Sequence, residues 1–122
     1  MAALFALAVI VQYNDPDPIR WMAIYGLACG AAAARAVRGS VPLAFVLAVG
    51  AIALAWGTAV VASGPGLGEY GHMFDAWEMK SLPTEEAREA SGLFIVAFWM
   101  GVLAVSEWRS RRNSKRVHLA RP

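Results

Sequence analysis

The chain has 122 residues, of which 58% are hydrophobic, so it forms one domain at most and carries more apolar side chain than a soluble domain of that size can bury. A bilayer can accept that surface. The net charge is only +2, and the single cysteine, Cys29, excludes an internal disulfide, a CxxC redox pair and a multi-cysteine metal site.

The first apolar stretch runs over 1–13. It has no basic n-region and no small-residue cleavage site, so it reads as a retained segment and not as a signal peptide. Thirteen helical residues rise only about 20 Å, against a hydrocarbon core about 30 Å thick. The expectation is that Met1 lies inside a longer natural helix. Asn14-Asp15-Pro16-Asp17-Pro18 then ends this helix and starts the next, with Asn14 as the closing residue and Asp17 as the N-cap. The turn is tight, so the first two helices are expected to be antiparallel neighbours.

The second and third apolar spans cover about 19–37 and 41–63. Association in lipid relies on close approach, and small residues at four-residue spacing mark contact faces. Gly26, Gly30 and Ala34 form such a face on the second span, Ala53 and Gly57 on the third, and Ala97 and Gly101 on the fourth. Cys29 reads as packing.

Gly64-Pro65-Gly66-Leu67-Gly68 breaks the third span. After it, Tyr70, Phe74 and Trp77 fall at helical spacing among Glu69, His72, Asp75 and Glu78, the pattern of a short helix lying at the membrane surface. The fourth span covers about 85–108, with Glu85 and Glu86 at its positive end. A basic tail, 109–122, follows.

Eight of the eleven basic residues fall on one side of this arrangement: Arg35, Arg38, Arg109, Arg111, Arg112, Lys115, Arg116 and Arg121. Glu107 is the sole acid there. Basic residues in short loops stay on the cytoplasmic side, which places both termini in the cytoplasm and the acidic loops outside. The expected fold is therefore an all-α integral membrane protein: a four-helix transmembrane bundle over 1–108 with a short interfacial helix in the outer loop, set in a bacterial inner membrane.

Chemistry is concentrated at the outer face. Glu85 and Glu89 lie one helical turn apart, and with Asp15, Asp17 and His72 they could hold a hard divalent cation or act as an acid and base pair. Capping and helix dipoles account for several of the same acids. No ionisable residue stands near the middle of a span and no half of the chain repeats, which argues against a proton path and a conventional transporter. Trp56, Phe94, Phe98 and Trp99 offer a pocket for a lipid, quinone or pigment, with plain packing the simpler reading. Beside a spanning helix, the basic tail reads as a topology anchor and a contact for anionic lipid, not as a nucleic-acid site.

The run Val11-Gln12-Tyr13-Asn14-Asp15-Pro16-Asp17-Pro18, followed by Trp21 and Tyr25, resembles the opening signature of the transmembrane protein 220 family. The segment Glu85-Glu86-Ala87-Arg88-Glu89-Ala90-Ser91-Gly92-Leu93 is similar to that family's acidic start to its last helix. The resemblance implies a small four-span membrane protein and singles out Gln12, Asn14, Asp15, Asp17, Trp21, Arg88 and Glu89; it implies no reaction. These residues form either a binding site or a structural clasp, with Arg88 or Arg20 paired to Asp15 or Asp17. The expected role is a non-enzymatic accessory or structural subunit that packs against a larger membrane assembly or its own copies. The alternatives are a periplasmic-face metal- or carboxylate-dependent enzyme acting on a lipid or another membrane-borne substrate, with Asp15, Glu85 and Glu89 converging as its ligands, and a carrier of a hydrophobic ligand.

Overall fold

A computed structural model describes residues 1–15, 17–64 and 82–119, without the side chains of 14, 82–85 and 116–119. The surface helix expected after Gly64 lies outside these residues. Among them the chain forms four α-helices and one 3₁₀ turn: α1 (Ala2–Val11), the turn (Gln12–Asn14), α2 (Pro18–Arg38), α3 (Leu43–Ser63) and α4 (Leu82–Leu119).

Local chemistry sets these boundaries. Pro18 starts α2 at its first turn, where its missing N–H costs nothing. Gly39 ends α2 in the left-handed conformation at φ 71°, its N–H donating to the Arg35 carbonyl at 3.1 Å. The third helix begins two residues later than expected, because Val41 precedes Pro42 and a proline disfavours helix in the residue before it. Two end details differ from the sequence reading. The first helix closes by tightening into the 3₁₀ turn, and no residue other than glycine has positive φ among those described, so Asn14 is not a left-handed cap. Asp17 occupies the N-cap position without a capping side-chain bond; its N–H instead donates to Asp15 Oδ1 at 2.9 Å.

The helices form two antiparallel pairs. The α3–α4 pair has the more extensive contact, and among the described helices α1 packs on α2 alone. Cys29 Sγ donates to the Ala2 carbonyl at 3.4 Å, so α1 begins beside the middle of α2. It stops about 14 Å short of the Arg38 end of its neighbour. In α3, Val46, Val49, Ala53 and Gly57 are buried, facing Leu93, Val96 and Met100 of α4. Gly50 and Gly57 let the backbones approach: a Cβ on Gly50 would stand 3.0 Å from Met100 Cβ, and one on Gly57 3.3 Å from Leu93 Cβ.

By contrast, Gly26, Gly30 and Gly101 have nothing within 4 Å of an added Cβ. Among the described residues, nothing packs at these three positions. The inward face of α2 is instead Trp21, Ile24, Tyr25, Ala28, Ala31 and Ala32. Gly50→Ala should therefore lower stability by about 1 kcal/mol, because Met100 Cβ sits on backbone and cannot move aside. Gly101→Ala should be neutral or slightly stabilising. Detergent-based unfolding titrations of the two variants would check the contrast.

Among the described residues two helices are both long and apolar enough to cross a membrane, Leu43–Ser63 with mean hydropathy 2.2 and Glu86–Lys115 with 1.7. Only 22% and 28% of these windows is buried inside the chain, whereas the core helix of a soluble protein would be mostly covered. Large apolar side chains such as Leu4, Ile10, Leu27, Ile52, Leu54 and Phe98 point outward from all four helices. Water does not tolerate such continuous surface. Thr58, Ser63 and Ser91 turn their hydroxyls back to carbonyls of their own helices, which satisfies them without solvent. The fourth helix continues well past the expected end at 108. Its 38 residues span about 57 Å, so the basic tail as far as Leu119 is helical.

Candidate functional site

The residues singled out at the acidic end separate into two kinds. Trp21 and Tyr25 turn inward from α2 and are buried. The Trp21 ring stacks on Trp56 of α3 with centroids 4.8 Å apart, and on Tyr25 at 6.2 Å. Tyr25 Oη lies directly over Gly92 of α4, one turn beyond Glu89. An aromatic column thus joins α2, α3 and α4. Gln12 and Asp15 are half-buried in the turn after α1, and Arg88 and Glu89 half-buried near the start of α4.

Asp17 and Arg20 are exposed and pair with each other at 3.6 Å across one turn of α2. This is a local surface pair, of the kind that contributes little to stability. The pair lies within α2 and its cap and does not itself join the turn to α4. Among the described residues no group of three or more His, Cys, Asp and Glu could hold a metal ion, and the Glu85 side chain and His72 lie outside that description.

Of the aromatics expected to offer a pocket, Trp56 stacks on Trp21, Phe94 packs against Gly57, and Trp99 is partly buried, its Nε1 without a hydrogen-bond partner among the described residues. Phe98 points outward, where with Gly101, Val102 and Val105 it lines a shallow open groove of about 750 Å³ along α4.

A buried clasp lies at the opposite, basic end. Glu107 is 4% exposed, and its Oε1 accepts from Arg35 Nε at 3.0 Å and from the Val41 N–H at 3.2 Å. Arg35 also donates from Nη2 to Ser106 Oγ at 2.9 Å and from Nη1 to the Gly39 carbonyl. One arginine and one glutamate therefore fasten the end of α2, the α2–α3 turn and α4 together. The left-handed Gly39 turns the chain so that its carbonyl and the Val41 N–H reach this pair. Sequence reasoning treated Arg35 as a topology signal and noted Glu107 only as a lone acid. That loneliness was the available signal, since an acid at the end of an apolar helix needs a partner.

Beside the clasp, Arg38, Ser40, Pro42, Trp108, Arg111 and Lys115 line a hollow of about 890 Å³ between the α2–α3 turn and α4. Arg112 also lines it, with its guanidinium carbon 4.6 Å from the centre of the Trp108 ring.

The family model described as transmembrane family 220, helix, matches residues 4–105. The match takes in most of the chain, including the Asp-Pro turn, the aromatic column and the acidic start of α4, and the chain belongs to this family of helical membrane proteins. No solved structure matches it.

Proposed function

We propose that this member of the family is a four-span, non-enzymatic subunit of the bacterial inner membrane, with both termini in the cytoplasm, whose outer helix faces pack against other membrane-protein chains or further copies of itself. The observation that carries this reading is the outward face of α2. There Gly26 and Gly30 leave an open notch flanked by exposed Met22 and Leu27, while the opposite face of the same helix holds the chain together. Small residues four apart let a second helix approach closely in lipid.

The apolar outer surfaces of α1 and α2 support four spans in place of two, although α1 is only ten residues long and α2 is diluted by alanine, glycine and its arginines. The basic extension of α4 and the arginines of the α2–α3 turn support a cytoplasmic position for that end.

The test is the size of the particle extracted from native membranes in mild detergent, for the wild type and for Gly26→Leu with Gly30→Leu. Migration within a larger, defined assembly is the expected result, with the double variant shifted to the size of a single chain in its micelle. A single-chain particle in both cases would overturn the proposal.

A further inference from the structure

We propose that the hollow between the α2–α3 turn and the α4 extension binds the phosphate headgroup of an anionic phospholipid. Charge is the first argument. Arg38, Arg111, Arg112 and Lys115 line the hollow, against one lining carboxylate, Glu107. That carboxylate is already held by Arg35 and the Val41 N–H. The hollow is therefore cationic even with an acid at its floor. Ser40, Ser110 and Ser114 add hydroxyl donors that suit phosphate oxygens.

Depth is the second argument, and it selects a lipid over a free phosphate. The hollow opens where the apolar run of α3 begins, at Pro42 and Leu43, and Trp108 stands on its wall. Tryptophan marks the headgroup layer of a bilayer, and basic pockets between spanning helices are suited to anionic headgroups. The acyl chains would then lie along the apolar outer faces of the helices, with no new surface required.

Preorganisation is the third. The Arg35–Glu107 clasp fixes the turn against α4, so the two walls are held at their spacing before a ligand arrives. The contact with Trp108 holds the Arg112 guanidinium at the site. Less order then has to be imposed on binding.

Native mass spectrometry of the full chain in non-ionic detergent, titrated with phosphatidylglycerol, phosphatidylcholine or inorganic phosphate, tests the proposal. The expected result is a saturable one-to-one phosphatidylglycerol adduct that persists where phosphatidylcholine is stripped. Arg111→Gln and Lys115→Gln should each weaken it about fivefold. Arg109→Gln removes the same charge from the outward groove of α4 and should weaken it by no more than about twofold. All three side chains are exposed, and circular dichroism of each variant verifies the fold. Equal losses for Arg109→Gln and Arg111→Gln would overturn the proposal in favour of diffuse attraction to the basic helix. Equal retention of phosphatidylcholine, or displacement of the lipid by inorganic phosphate, would overturn it as well.

Discussion

Replacing Arg35 by methionine should destabilise the protein by about 3 kcal/mol, the cost of leaving a buried carboxylate without its partner. The effect is asymmetric. Glu107 is almost fully buried, whereas the Arg35 side chain is 28% exposed and can turn its guanidinium toward the headgroup layer when the acid is removed. Glu107→Gln should therefore cost less, about 1 to 2 kcal/mol, since the amide oxygen can still accept from Val41 and the guanidinium can still reach Ser106. The double variant Arg35→Met with Glu107→Gln should recover to within about 1 to 2 kcal/mol of the wild type, because no charge is left buried and the amide still accepts from the Val41 N–H.

Unfolding by denaturing detergent in mixed micelles, for both single variants and the double, measures all three. Equal losses in the two singles that simply add in the double would show that the two side chains act separately and would refute the clasp. Recovery of stability would also locate its purpose. The pair would then be a device that sets how the α2–α3 turn meets α4, replaceable in energy though not in geometry. Phosphatidylglycerol binding by the stable double variant would separate that positioning role from stability itself, because the walls of the hollow would lose their shared anchor.

Much of this architecture was legible because lipid and proline act locally. The boundaries of α2 follow from Pro18 and Gly39, and the length of α3 from its unbroken apolar run. The inward face of α2 was not legible. Two stripes compete on that helix, one of small residues through Gly26 and Gly30 and one of Trp21, Ile24, Tyr25 and Ala28. In lipid both faces are acceptable to the surroundings, so hydropathy cannot choose between them. The aromatic stripe wins within the chain because Trp56 is there to stack on Trp21, and large rings gain more dispersion contact than glycine can.

The clasp was hidden for a related reason. A charge at the end of a span satisfies the rule for topology whether or not it is buried, and only the turn at Gly39 brings Arg35, Val41 and Glu107 together. The tail was under-read because basic residues after a span resemble a loose anchor. In the structure they ride on a continuous helix, which gives Arg111, Arg112 and Lys115 fixed spacing along one wall.

Gly92→Ala should be the most damaging single-methyl change at the acidic end, costing about 2 to 3 kcal/mol. The added Cβ would fall inside the contact radius of Tyr25 Oη. A tyrosine at the surface would swing away. Tyr25 is 8% exposed and stacked on Trp21, which is itself stacked on Trp56, so the hydroxyl can retreat only if α2 shifts against α4 or the column of rings unstacks. Removing the hydroxyl relieves the collision directly. Tyr25→Phe in the Gly92→Ala background should restore most of the loss, giving a coupling energy of about 1 to 2 kcal/mol between two positions far apart in sequence. Tyr25→Phe alone should have a small effect, since it leaves a space no larger than one oxygen atom. The same detergent unfolding assay supplies the four corners of this cycle, and near-ultraviolet circular dichroism of the tryptophan stack supplies an independent readout. If the two substitutions add without coupling, Tyr25 does not seat on Gly92, and the contact between α2 and α4 at this end must be drawn differently. If they couple, the aromatic column is a spacer that sets the approach of α4 to α2 at the acidic start of α4.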